Sequence, residues 1–214
     1  MNLINYFIEN ADLLVDKTFE HIFLAGIAVA LACSLGVPVG FAISNNAKLA
    51  KNVMNVANVI QTIPSLALFA FAMPLFGIGA KPAIFALFLY ALLPIIKNTL
   101  LGIHNVDPAI IESARGMGMS EIQILFKVEV PLAIAVIMGG VRIATVTGIG
   151  IATIAALIGA GGLGQLIYQG ISMMDFDMIL AGAISSAVLA LLADFVLGQV
   201  EKKLTSKGIT KQKA

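Results

Sequence analysis

Glu112 and Arg115 lie three residues apart near the middle of the chain, with Ser113 and Ala114 between them and Gly118 just beyond. An acid and a base one helical turn apart can offer charged hydrogen bonds to a second surface. Small neighbours let that surface come close to the backbone. Arg142 and Asp194 each stand alone in long apolar runs, where an unpaired charge costs about 2.5–3.5 kcal/mol on insertion scales. They are read as a candidate buried pair. Arg142 is also read as lining a passage, where it would hold back a cationic solute until a gate opens. Asn55, Asn58, Thr62 and Ser65 recur every three or four residues, with Gln61 beside them. On a single helix they form a polar stripe. In lipid such a stripe should face the bundle interior, where it either lines a solute path or bonds helix to helix.

Other chemistry is missing from the sequence. No paired carboxylates, histidine cluster or Ser/His/Asp set argues for an enzyme. No Gly-x4-Gly-Lys-Ser/Thr phosphate loop occurs, so no nucleotide hydrolysis is expected of this chain. A single cysteine, Cys33, permits neither a disulfide framework nor a Cys/His metal site and is read as a small packing residue. No metal or other cofactor is expected. His21 and His104 fall at the ends of apolar runs and are read as interfacial. A net charge of +1 gives no reason to expect nucleic acid as a partner.

The elements that must hold these residues are set by composition. The chain is 59% hydrophobic and 12% charged, with a mean hydropathy of +0.99. Soluble domains carry about 25% charged residues. The surrounding partner is therefore membrane lipid, and the fold class is an all-α integral membrane protein. A membrane helix needs about 20 mostly apolar residues, which predicts five spans at about 21–43, 53–76, 82–103, 131–157 and 178–200. With the N-terminus outside, ten of the thirteen Lys and Arg residues fall on the inner side, as the positive-inside rule requires. The division is an extracytoplasmic segment over 1–20, a transmembrane domain over 21–200 with an inner loop over 104–130, and a basic cytoplasmic tail over 201–214. Pro64 and Pro74 are expected to break or kink span two. The glycines of Gly159–Gly164 are expected to form a tight or re-entrant turn on the outer side. That turn is either an outer gate, a contact for a receptor, or only a turn.

The loop over 104–130 is a polar island. Six charges fall between Asp107 and Glu129. Asp107 before Pro108 reads as a helix start, and Gly116 and Gly118 offer left-handed stops. Ser120 with Gln123 makes a capping box. A second short helix then runs to Glu129, and Pro131 can open the next span.

The spacing Glu112-Ser113-Ala114, three residues, Gly118, nine residues, Val128-Glu129-Val130-Pro131 resembles the permease signature of bacterial binding-protein-dependent ABC importers. That signature reads Glu-Ala-Ala, three residues, Gly, nine residues, Ile-x-Leu-Pro. Ser113, Val128 and Val130 depart from it conservatively. The segments 60–79, 90–103 and 152–171 are similar to one branch, the permeases for glycine betaine, carnitine and choline. The resemblance extends over roughly 50–200. It implies that the island is a coupling helix docking in a cleft of an ATPase subunit, with Glu112, Ala114 and Gly118 carrying the docking. It also implies ATP on that separate subunit, an extracytoplasmic substrate-binding protein as a separate chain, and a second permease copy or paralogue to complete the pathway. The alternative is a secondary transporter of small polar solutes. That class usually shows repeated halves and buried ionisable relays, and no clear repeat is seen.

Overall fold

In the computed structural model the described residues are 3–204. They form α1 (Leu3–Glu9), α2 (Ala11–Ser44), α3 (Ala47–Thr62), α4 (Ser65–Phe76), α5 (Ala80–His104), α6 (Pro108–Gly116), α7 (Glu121–Ile124), α8 (Val130–Ala152), α9 (Leu163–Met173) and α10 (Phe176–Leu204). Helices α2, α5, α8 (with α7 ahead of it) and α10 are each long and apolar enough to cross a membrane. The pair α3 and α4 makes up to a fifth span, bent by 99°. The bent pair is the segment expected to hold Pro64 and Pro74. Pro64 has no N–H to donate and forces the preceding Ile63 into extended backbone. Pro74 remains inside α4.

The bundle is built on α5, which packs against α2, α3, α4 and α8. Its central core joins Leu24 and Ala28 of α2, Phe69 of α4, Ala83, Ala86 and Leu87 of α5, and Ala152 of α8. Small residues bring the axes together. A Cβ on Gly140 of α8 would lie 2.7 Å from the carbonyl oxygen of Pro94 on α5. Large exposed side chains such as Phe19, Phe23, Phe71, Leu191 and Phe195 cover the outside. Lipid is the medium in which that surface carries no penalty.

Two boundaries differ from the sequence reading. Residues 3–20 are not a separate segment: α2 starts at Ala11, and Tyr6 of α1 packs with Leu14, Leu163 and Leu166. The second island helix does not end before Pro131. Glu121–Ala152 is one continuous helix, with a π-type turn over Leu125–Glu129 in which the Val130 N–H reaches the Leu125 carbonyl. Pro131 explains that widening, because its ring would otherwise clash with the carbonyl four residues back. The basic tail read over 201–214 is helical to Leu204; 205–214 lie outside the described residues.

Candidate functional site

The island folds as its caps require. The Asp107 carboxylate accepts from the Ala109 N–H at 2.9 Å, with Pro108 at the first position of α6. The helix closes with the Met119 N–H on the Ala114 carbonyl and Gly118 at φ +81°. Gly116 stays helical, so Gly118 alone makes the left-handed stop. Ser120 and Gln123 form the capping box, with the Ser120 N–H on Gln123 Oε1 at 2.9 Å. Arg115 makes a bidentate pair with Glu121 at 3.0 and 3.1 Å, and these bonds raise its already high pKa further. Arg115 therefore braces α6 against α7, where the sequence had suggested a contact to a second surface. Glu112 and Ser113 are exposed. Ser113 Oγ donates to the Ala109 carbonyl at 2.7 Å. Ala114 is 2% exposed, so its small side chain is packed within this chain. Glu112, Arg115 and Glu121 line a groove of about 360 Å³ with Asn45, Pro108 and Glu129. Around it Ile110, Met117, Ile122 and Phe126 expose apolar side chains.

The polar stripe is not continuous. The break at Pro64 puts Ser65 on α4 and leaves Asn55, Asn58, Gln61 and Thr62 on α3. These four are exposed on this chain, not turned into its own bundle. Helix α3 packs against α5 and α2 and leaves the face that carries these four uncovered. Thr62 bonds the Val59 carbonyl, but Gln61 reaches across to the Tyr90 carbonyl at 2.9 Å. Pro94, four residues later, has no N–H for that carbonyl. In return the Tyr90 hydroxyl donates to the Ile63 carbonyl at the end of α3. Gln61 and Tyr90 stand at one end of a cleft of about 390 Å³ between α5 and α8, lined also by Pro94, Lys97, Asn98 and Thr147.

Arg142 and Asp194 do pair. Nε meets Oδ1 at 2.6 Å and Nη2 meets Oδ2 at 2.7 Å, while Nη1 reaches Glu201 at 3.4 Å. The guanidinium spans the last turns of α10 between Asp194 and Glu201. It therefore sits toward the end of that helix and not at mid-span. Two carboxylates at its side leave little net positive charge to face a passage.

At the opposite end of the bundle the glycine turn is clamped. Gly159, Gly161 and Gly162 have φ of 75°, 83° and 75°, values that side chains resist. The Gly162 N–H donates to Glu20 at 2.7 Å and the Leu163 N–H to His21 Nδ1 at 3.2 Å. His21 Nε2 then donates to the Ile149 carbonyl at 2.9 Å. Lys17 holds the other oxygen of Glu20 at 2.8 Å. His21 is fully buried, which corrects its reading as interfacial. His104 is exposed and lies against the Ser44 carbonyl at 3.2 Å. Cys33 packs beside Val29, Ile95 and Ala144. Among the described residues no group of three or more His, Cys, Asp or Glu is placed to hold a metal ion.

Residues 32–206 match the family described as "Binding-protein-dependent transport system inner membrane component". The chain belongs to that family. It is 46% identical over 207 residues to the carnitine transport permease protein OpuCB of Listeria monocytogenes, covering 97% of this chain and 95% of that one. It is 45% identical to the osmoprotectant import permease protein OsmW of Salmonella typhimurium, covering 98% and 100%. The glycine betaine/carnitine/choline transport system permease protein OpuCB of Bacillus subtilis is 43% identical, over 98% and 97%. In structure the chain is similar to a chain of the MetNI methionine ABC transporter in an inward-facing conformation, with a TM-score of 0.82, 25% identity and coverage of 91% and 97%.

The protein is thus a multi-pass cell-membrane permease subunit of an ABC importer, and the secondary-transporter alternative is not favoured. Its family works with ATPase and substrate-binding partners. In the permease the structural residues that sequence reasoning missed are Glu20, Tyr90 and Pro94, and His21 was seen but given the wrong setting. A signal existed for Tyr90 and Pro94. A proline within an apolar helix orphans the carbonyl four residues earlier, and Gln61 was already singled out as a polar group in search of a partner.

Proposed function

We propose that this permease carries quaternary ammonium osmoprotectants of the glycine betaine, carnitine and choline kind. The observation that carries the reading is identity of 43–46% over nearly the whole length of permeases named for those solutes. The resemblance of 60–79, 90–103 and 152–171 supports the same branch.

The island at Glu112–Gly118 serves as the docking element for an ATPase subunit. Its support is the signature spacing, together with an acid-lined groove ringed by exposed Ile110, Met117, Ile122 and Phe126. ATP is bound and hydrolysed on that separate subunit. A second permease copy or paralogue completes the pathway, and the exposed Asn55, Asn58, Gln61 and Thr62 face that neighbour and the solute path between the two. The N-terminus and the glycine turn lie outside, where a separate binding protein delivers solute, and the island lies in the cytoplasm. The charge asymmetry of the loops supports this orientation.

The test is reconstitution of the whole complex in proteoliposomes with its ATPase and binding protein, followed by uptake of radiolabelled carnitine, glycine betaine and choline. ATP-dependent uptake of at least one is expected. A complex whose ATPase responds to its binding protein yet takes up none of the three overturns the solute class. Co-purification tests the docking element: simultaneous replacement of Glu112 and Gly118 should release the ATPase, and undiminished retention overturns that role.

A further inference from the structure

The cleft between α5 and α8 has an unbalanced charge. Lys97 lines it, yet none of its lining residues is acidic, and Lys97 makes no ion pair with another described residue. Lys97 lies seven residues before His104 at the end of α5, about 10 Å along the axis. Its neighbour Asn98 packs against Gly140 of α8. That level is close to that of Arg142, which stands across the ridge made by Ile143 and Thr147 and lines the next cleft with Asp194 and Glu201. Two cations therefore stand at a similar level on α5 and α8, with Lys97 exposed on this chain. Arg142 is neutralised by described carboxylates of its own chain, and Lys97 pairs with none of them.

Lys97 is exposed on this chain and lines the cleft with no carboxylate beside it, so its ammonium is open to an anion that enters. The cleft is suited to a small anionic group. Asn98 and Thr147 line the same cleft as Lys97, and Tyr90, Leu87, Pro94 and Ile143 supply an aromatic and apolar wall. A carboxylate would meet Lys97, and the methyl groups of a quaternary ammonium would lie on that wall, where the Tyr90 ring also attracts cationic charge. This is the chemistry of a zwitterion that carries both groups, such as glycine betaine or carnitine. Choline carries the cation without the carboxylate.

We propose that Lys97 reads the solute carboxylate in the permease and so favours zwitterionic osmoprotectants over choline. The inference rests on the osmoprotectant reading of this chain and names the group that discriminates within it.

The test uses the full reconstituted complex, with uptake of glycine betaine, carnitine and choline measured for wild type, Lys97→Arg, Lys97→Gln and Lys97→Glu. Assembly of each variant with the ATPase is checked by co-purification. Lys97→Gln should lower uptake of the two zwitterions at least about tenfold, as expected for loss of a hydrogen bond to a charged group. Choline uptake should stay within about twofold, and Lys97→Arg should retain zwitterion uptake. Lys97→Glu should reverse the preference toward choline, which a purely structural lysine would not do. Unchanged zwitterion uptake in Lys97→Gln, or an equal loss for all three solutes, overturns the proposal. A wild-type complex that hydrolyses ATP in response to its binding protein but moves none of the three overturns the solute class first, and this role of Lys97 with it.

Discussion

Gln61 of α3 donates its side-chain amide to the backbone carbonyl of Tyr90 on α5, the carbonyl that Pro94 leaves without a helical partner. A proline thereby becomes an attachment point between elements. The Tyr90 hydroxyl returns the bond to Ile63 at the end of α3, immediately before the break at Pro64. One proline defect on α5 and one helix-end carbonyl on α3 are satisfied by side chains of the other element.

This relationship predicts a coupling. Gln61→Ala should destabilise the permease by about 1 kcal/mol, the usual net worth of such a bond. Pro94→Ala restores an N–H to the Tyr90 carbonyl, and in that background Gln61→Ala should cost close to nothing. Thermal denaturation of the four proteins in detergent gives the double-mutant cycle. Simple additivity would sink the idea.

Gly118 sits at φ +81°, and a Cβ there would meet nothing within 4 Å. Backbone strain, not crowding, therefore decides its substitutions. Gly118→Ala should cost about 1 kcal/mol in strain, whereas Gly118→Asn should be milder because Asn tolerates the left-handed region. Hydrogen exchange across α6 and α7 reads this directly. Equal exchange rates in both variants would show that the stop is not strained.

Arg142 holds Asp194 in a bidentate pair, so removing it takes the cation away from that carboxylate. Arg142→Ala should reduce both the folded yield and transport at matched expression. The double replacement Arg142→Met with Asp194→Leu should recover more folded protein than either single change, since the two closest charges are removed together. Size-exclusion profiles of tagged variants distinguish the cases. Unchanged uptake and ATPase activity in Arg142→Ala would remove the pair from any account of transport.

His21 bridges the Leu163 N–H and the Ile149 carbonyl, and both bonds are buried. His21→Ala strands a donor and an acceptor at about 1–3 kcal/mol each. The glycine turn should then open locally, and the amides of Gly162 and Leu163 should exchange faster than those of α5. His21→Asn should do less damage because an amide can still donate and accept. Protection that is equal in wild type and His21→Ala would show that other contacts hold the turn.

Much of this architecture was legible in the sequence because lipid imposes a strong code. Long uncharged runs gave the spans, and Asp107, Pro108, Ser120 and Gln123 gave the island's caps by local hydrogen bonding alone. What was not legible depended on contacts distant in sequence. Ala114 looked like part of an open surface, but it is buried in the folded chain. His21 looked interfacial because nothing near it in sequence announces Ile149 or Leu163. The polar stripe was read as one helix face, since Pro64 announces a break but not its 99° angle. The π-type turn could have been anticipated from Pro131, had the helix been expected to run through it.

That turn has a mechanical consequence. Because Leu125–Glu129 widens without breaking, Glu121 and Ala152 are opposite ends of one rod of 32 residues, about 48 Å long at 1.5 Å per residue. Tilting such a rod by about 5° around its far end displaces the near end by about 4 Å, with 1.5 Å of rise per residue fixing the arm. A hinge at Pro131 would have absorbed that stroke within the island. The wider turn keeps the helix continuous, so Glu121 in the island and Ile149 and Ala152 beside the clamped glycines belong to one element.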